Sequence, residues 1–229
     1  MSLLFIGKKN DPYTDDAANT VLTLFEDATV VRVAKGERLP EVATSWAGDW
    51  LISYLCPMVL PKDLLNKATS GAINFHPGPP EYPGIGCTNF AIYNDEKIYG
   101  VTCHFMASKV DTGQIIEVSH LPVYENDSVY TLTRRCYAYQ IRLFHTIMDR
   151  ILNDKPLEAG DLTWQRKPYT STDFKKLYTI TPDMSEEEIE RRIRATSFPG
   201  YAGPELLLHG RKYVLESMNA PLPPDFETN

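Results

Sequence analysis

Apolar residues near the start of the chain fall in short unbroken runs, and the runs are separated by polar loops and by one stretch of helical spacing. SLLFIG is continuous and bounded by the loop KKNDPYTDD, which suits a strand buried on both faces. AANTVLTLF spaces its apolar positions along one helix face, and TVVRV and DWLISYL read as further strands. This alternation predicts an α/β fold built on a mostly parallel sheet. INF comes next and runs straight into HPGPPEYPGIG, where the density of proline and glycine forbids a continuing strand. A strand therefore ends where a loop of restricted backbone begins.

Further along, GCTNFAIYN suits a short helix, and YGVTCHFM and IIEVSHLPV suit strands. DSVYTLTRRCYAYQIRLFHTIMDRIL suits a long amphipathic helix capped at Asp127 or Ser128. The pattern then changes. A main domain over residues 1–158 and a small α+β lobe over 159–229 are the expected division. In the lobe, SEEEIERRIRAT is helical, with Ser185 and Glu188 spaced as a capping box. YAGPELLLHGRKYVLESM reads as a β-hairpin turning near His209 and Gly210, and NAPLPPDFETN has the composition of a loose end.

The 229 residues, 43% hydrophobic and 23% charged, suffice for one sizeable core with a small appendage. A formal net charge of −7 disfavours polyanion partners, so no nucleic acid is expected. No apolar run approaches the roughly 20 residues of a membrane span, and MSLLFIGKKNDPYTDD lacks a signal-peptide pattern, so the cytoplasm is the simplest compartment. Cys56, Cys87, Cys103 and Cys136 are scattered without CxxC pairing, which suggests buried thiols and no metal site. The first loop has only Gly7 where a dinucleotide-binding motif needs three glycines. Lys8 and Lys9 follow it, either as a solvated pair or as a phosphate contact beside the next helix.

Chemistry concentrates at INFHP. Asn74 and His76 are two residues apart, so a strand persisting through them points both side chains to one face, at the carboxyl end where open α/β sheets keep their crevice. Four prolines in the following loop would stiffen the pocket wall. Asp111, in KVDTGQII, precedes a Thr-Gly turn between two strands. Each of the three, read alone, is more often structural than catalytic. Their combination in this order is specific. Cys103 and His104 are adjacent and would face opposite ways on a strand, a poor metal pair, and His104 is expected to support the site from beside it. His120, His145 and His209 have no companions.

With those motifs the chain resembles the folate-dependent formyltransferase family, which includes glycinamide ribonucleotide transformylase, methionyl-tRNA formyltransferase and the nucleotide-sugar N-formyltransferases. ISYLCPMVLPKDLL resembles the family's strand and loop beside the pterin, INFHPGPPEYPG its Asn and His motif, and GVTCHFMASKVDTGQII its aspartate motif. LTWQRKPYTSTDF and IERRIRATSFPGYAG resemble the segments that follow the catalytic domain in the tRNA and aminosugar members. The resemblance implies a Rossmann-like formyltransferase fold and makes Asn74, His76 and Asp111 the catalytic group. It sets the pterin of N10-formyltetrahydrofolate, consumed as co-substrate, against Met58, Val59, Leu60 and the loop Ala107, Ser108, Lys109, Val110 and Asp111. The residue types fit: an amide and an imidazole can donate to the oxyanion that forms when an amine attacks a formyl carbon, and an imidazole can move the proton. A nearby Asp111 is expected to favour the imidazolium form of His76.

The loop GPPEYPGIGCTNFAIY resembles that of the small sugar N-formyltransferases, and the acidic balance argues against tRNA. The acceptor so implied is a nucleotide-linked aminosugar, dTDP-4-amino-4,6-dideoxyglucose first, with a GDP-linked 4-aminosugar or a dTDP-3-aminosugar close behind, for O-antigen or another surface glycan. Candidate contacts are Lys9, Asn10 and Tyr13 after the first strand, Tyr82 in the loop, and Phe198 and Tyr201 in the lobe, and Arg194 either touches ligand or holds the lobe. Members of this size usually pair, so a homodimer is expected. A formyltetrahydrofolate hydrolase and a non-catalytic ligand-binding homologue are the rival readings.

Overall fold

The computed structural model describes residues 1–216, so the expected loose end, and the last two residues of the predicted hairpin segment, lie outside the described residues. The elements are β1 (Ser2–Lys8), α1 (Pro12–Leu24), β2 (Asp27–Val33), α2 (Glu41–Ser45), β3 (Gly48–Tyr54), α3 (Lys62–Leu65), β4 (Ala68–His76), α4 (Cys87–Tyr93), β5 (Ile98–Phe105), β6 (Ile115–Pro122) and α5 (Val129–Leu152). They are followed by α6 (Ser171–Tyr178), β7 (Thr179–Ile180), α7 (Glu186–Thr196), β8 (Glu205–Leu208) and β9 (Arg211–Val214).

The main sheet runs β2-β1-β3-β4-β5-β6; the first four strands are parallel, while β5 and β6 join antiparallel. Leu3, Leu4, Phe5 and Ile6 of β1 and Leu51 and Ile52 of β3 are fully buried because both faces of the sheet are covered there. On one face Phe5, Tyr54 and Phe75 meet Phe144 of α5, with ring centroids 5.2–6.1 Å from it. On the other, Leu4, Ile6 and Leu51 pack with Trp46, Leu60 and Leu64 around α2 and α3. Those two helices span only 5 and 4 residues, too short to show a periodicity in the sequence.

Helix α1 begins earlier than its apolar spacing suggests. Asp11 is the N-cap, accepting from the Thr14 N–H at 3.0 Å, and Pro12 supplies the fixed φ of a first helical position, so DPYTDD is helix start and not loop. Ser128 caps α5 as expected, and Asp127 beside it holds Arg135 through both carboxylate oxygens at 2.7 and 2.8 Å. At α7 only half of the expected capping box forms. Ser185 accepts from the Glu188 N–H, but the Glu188 carboxylate turns away to Arg192 and Tyr93.

The C-terminal residues form the small sheet β7-β8-β9, and the β8–β9 hairpin turns at His209 and Gly210, whose φ angles of 49° and 73° are those of a type I′ turn. This part is fastened to the main sheet's helices. Asn89 Nδ2 donates to the Ala195 carbonyl at 2.8 Å, and Tyr169, Leu177 and Ala195 are buried in the main core. Arg194 reaches Asp95 and the Asp127 carbonyl, so in this structure it ties α7 to the body.

Candidate active site

Strand β4 extends through Asn74 and His76, and its antiparallel register with β5 sets Asn74 directly opposite His104. The turn after β5 returns Asp111 to the same point. Four polar side chains converge there: Asn74 Nδ2 is 3.1 Å from His104 Nε2, His104 Nε2 is 3.3 Å from Asp111 Oδ1, and His76 Nδ1 is 3.3 Å from Asp111 Oδ2. His76, His104 and Asp111 are buried. Asp111 sits at φ 47°, a left-handed conformation that aspartate tolerates better than most residues, and its side chain is anchored by the Gly84 N–H at 2.8 Å. Gly84 itself has φ 90°, and a Cβ there would collide with the backbone of Tyr169, so only glycine can bring this N–H to the carboxylate.

The ring nitrogens have distinct roles. His76 Nε2 donates to the Tyr82 carbonyl at 2.8 Å, which leaves Nδ1 toward Asp111. His104 Nδ1 donates to the Phe105 carbonyl at 2.8 Å, which leaves Nε2 to accept from the Asn74 amide. Burial pulls the His76 pKa below its ordinary value, outweighing the opposing effects of the Asp111 charge and the Tyr82 carbonyl. Asp111 is close and its charge favours imidazolium as expected, but desolvation outweighs it, so the resting ring is neutral. Burial alone would raise Asp111, yet the two imidazoles and the Gly84 N–H more than offset it and hold the carboxyl well below the usual range.

The loop that carries His76 is held from behind. The Pro77 carbonyl receives Cys87 Sγ at 3.3 Å, Cys136 Sγ at 3.2 Å and Tyr99 Oη at 3.1 Å. The Phe75 carbonyl receives Gln140 Nε2 at 2.7 Å, and the Gly78 carbonyl Thr102 Oγ1 at 2.7 Å. Three of the scattered thiols, Cys87, Cys103 and Cys136, are buried, and burial pushes their pKa values up, which makes them inert donors and packing groups.

The cluster lies in the wall of a cleft of about 460 Å³. Of the residues expected around the pterin, Met58, Val59, Leu60, Ala107, Lys109, Val110 and Asp111 line it, joined by Met106 and Ile85. Ser108 does not; it sits on the outer side of the loop, exposed. A second cavity of about 300 Å³ is walled by Thr88, Asn89, Val129, Thr133, Phe174, Tyr178, Phe198 and Tyr201, and Lys8 and Tyr137 border both spaces.

Phe198 and Tyr201 thus stand where a second ligand could lie, 5.3 Å apart and perpendicular. The other four expected contacts do not line either space. Lys9 is drawn outward to Glu37 at 3.1 Å, and Asn10 is exposed in a left-handed turn. Tyr13 packs edge-on against Tyr137 with centroids 5.5 Å apart. Tyr82 is corrected outright: the residue is 4% exposed, its ring is stacked toward Tyr169, and its hydroxyl is taken by Glu96 and Asn94. Only its backbone carbonyl serves the cluster. The sequence leaves Lys8 open between a solvated lysine and a phosphate contact, and the structure places it, and not Lys9, beside both spaces; Tyr137 carries no signal in the sequence.

Among the described residues no helix is long and apolar enough to cross a membrane, and no group of three or more His, Cys, Asp or Glu is placed to hold a metal ion.

Comparison with known proteins agrees with this arrangement. Residues 6–147, which include Asn74, His76, His104 and Asp111, match the formyl transferase family. GDP-perosamine N-formyltransferase of Brucella melitensis is 29% identical over 191 residues, 81% of this chain and 71% of that one. A 4-N formyltransferase from Francisella tularensis superposes with a TM-score of 0.76 at 20% identity, covering 93% of this chain and 96% of that one. An N-formyltransferase from Helicobacter canadensis, solved with folinic acid and dTDP-3-aminofucose, gives a TM-score of 0.70 at 20% identity and covers 93% and 86%. The two solved structures share the fold. On the family match, the chain is a formyl-transferring enzyme and belongs to the formyl transferase family.

Proposed function

We propose that this enzyme moves the formyl group of N10-formyltetrahydrofolate to the amine of a nucleotide-linked aminosugar. The observation that carries the reading is that Asn74, His76 and Asp111 stand in a cleft that meets a second, aromatic cavity at Lys8 and Tyr137. The first space suits a flat pterin: Met58, Leu60, Met106 and Val110 give it apolar walls. The second suits a sugar nucleotide, with rings to face the base and the Lys8 ammonium to meet the pyrophosphate.

Each group then has a task. Asn74 has one N–H on His104 and a second free to donate to the formyl oxygen as charge develops there. His76, neutral at rest, accepts the proton lost by the attacking amine at Nδ1 and returns it to the departing folate nitrogen. The proton at Nδ1 faces Asp111 Oδ2, so the carboxylate stabilises the imidazolium only while it exists. Asp111 is held ionised and is aimed by the Gly84 N–H.

The resemblance favours dTDP-4-amino-4,6-dideoxyglucose as acceptor, while the name of the Brucella relative favours a GDP-linked sugar. Purified protein with N10-formyltetrahydrofolate and a panel of dTDP- and GDP-linked 3- and 4-aminosugars decides between them by tetrahydrofolate release. Release that depends on one acceptor supports the proposal. Release across the panel that is independent of acceptor points to the hydrolase, and no release at all overturns the reading.

A further inference from the structure

Trp164 belongs to the irregular strap that leaves α5 and crosses the proline-rich loop. The strap is fastened by main-chain bonds: Gly160 N–H to the Ile115 carbonyl at 2.8 Å, Gln165 N–H to Pro80 at 3.0 Å, and Tyr169 N–H to Pro83 at 2.8 Å. From it the indole reaches the back of the catalytic cluster. Its ring centroid is 5.1 Å from His104 at an interplanar angle of 87°, and 5.8 Å from His76 at 72°, both edge-to-face contacts. Its Nε1–H donates to the Gly113 carbonyl at 2.8 Å, in the turn that carries Asp111.

One side chain therefore bears on two of the clustered side chains and on the backbone that carries a third. The Gly113 turn is pressed so close to the Phe105 carbonyl that a Cβ would overlap it, and the indole closes the other side. Trp164 does not line the cleft, so it acts through its neighbours and not on substrate. Without it the two imidazoles lose the surface that sets their ring planes, and the 3.3 Å spacings to the two oxygens of Asp111 are no longer enforced.

We infer that Trp164 is a positioning residue for the formyl-transfer site, clamping the His76 and His104 rings with its indole and the Asp111 turn with its N–H. The inference rests on the proposed chemistry for its kinetic consequences only. The full-length Trp164→Leu variant, which removes the ring and the N–H while filling space, is expected to lose about 10²-fold in kcat with little change in either KM, as for a displaced reacting group. Trp164→Phe, which keeps a ring, should recover part of that loss. The acid limb of the pH–rate profile should move in the leucine variant, a shift that loss of packing elsewhere would not produce.

Histidine ring resonances titrated by NMR in the free protein give an answer that needs no acceptor. An altered His76 titration in Trp164→Leu supports the positioning role even if no aminosugar is formylated. Unaltered titrations with a wild-type kcat and pH profile, or a loss confined to KM, overturn it. If the leucine variant does not fold, Trp164→Phe carries the test: a lowered kcat with a moved pH profile supports the inference, and wild-type values for both overturn it.

Discussion

His76 Nδ1 stands 3.3 Å from Asp111 Oδ2, and the ring's other nitrogen is already spent on the Tyr82 carbonyl. A buried imidazole so placed has one nitrogen left for proton transfer, and it faces a carboxylate that is held ionised.

Removal of the ring is the first consequence to measure. His76→Ala is expected to lower kcat by about 10²- to 10⁴-fold, the usual worth of a positioned acid–base group, with the fold retained by circular dichroism. A variant within a few-fold of wild type would remove His76 from the mechanism.

Asn74→Ala tests the oxyanion role. Loss of one donor to developing charge should cost about 10²- to 10³-fold in kcat and leave KM for the folate nearly unchanged, because the contact strengthens only in the transition state. An effect confined to KM would assign Asn74 to ground-state binding.

The pH dependence has a definite sign. His76 must be neutral to accept a proton, and burial lowers its pKa, so the rate falls on the acid side with a limb below the ordinary imidazole value. The Asp111 charge pushes against that burial. In Asp111→Asn this support is gone, and the acid limb of kcat/KM should move to lower pH while the rate falls. A limb moving to higher pH would contradict the assignment.

Lys8 borders both spaces and its side chain is 40% exposed, paired with Asp11 at 3.4 Å. On the proposed reading, Lys8→Ala should raise KM for the sugar nucleotide about tenfold, the worth of one charged hydrogen bond, and leave kcat intact. Lys9→Ala, on the outward-facing neighbour, should change neither.

Gln140 is fully buried in α5, and its amide N–H meets the Phe75 carbonyl one residue before His76. Gln140→Leu removes that hydrogen bond together with a buried Oε1 that has no partner, so a stability loss of only about 1 kcal/mol is expected in denaturant unfolding. Unchanged stability would mean that the loop is held by its other bonds.

The pairing of Asn74 with His76 was legible because a strand repeats every two residues and proline marks its end. The parallel sheet was legible because strands buried on both faces show as unbroken apolar runs. What could not be read was whatever depends on partners far away in the chain. The opposition of Asn74 and His104 is set by the β4–β5 register, so the sequence offers His104 only as a supporting neighbour and does not show that it contacts both Asn74 and Asp111. Tyr82 looked available in an open loop, but Glu96 and Asn94 draw it inward. Lys9 looked like the anion contact until Glu37, 28 residues on, turned it aside. Trp164 lies 51 residues beyond the carbonyl it holds.

The most direct test of the proposed transfer follows the formyl carbon itself. With N10-formyltetrahydrofolate labelled by 13C at the formyl group and a nucleotide-linked 4-aminosugar, mass spectrometry and 13C NMR should find the label as a formamide on the sugar nitrogen, one per tetrahydrofolate released, in the wild type and not in His76→Ala. Label recovered as free formate, with the sugar amine unchanged, would contradict it.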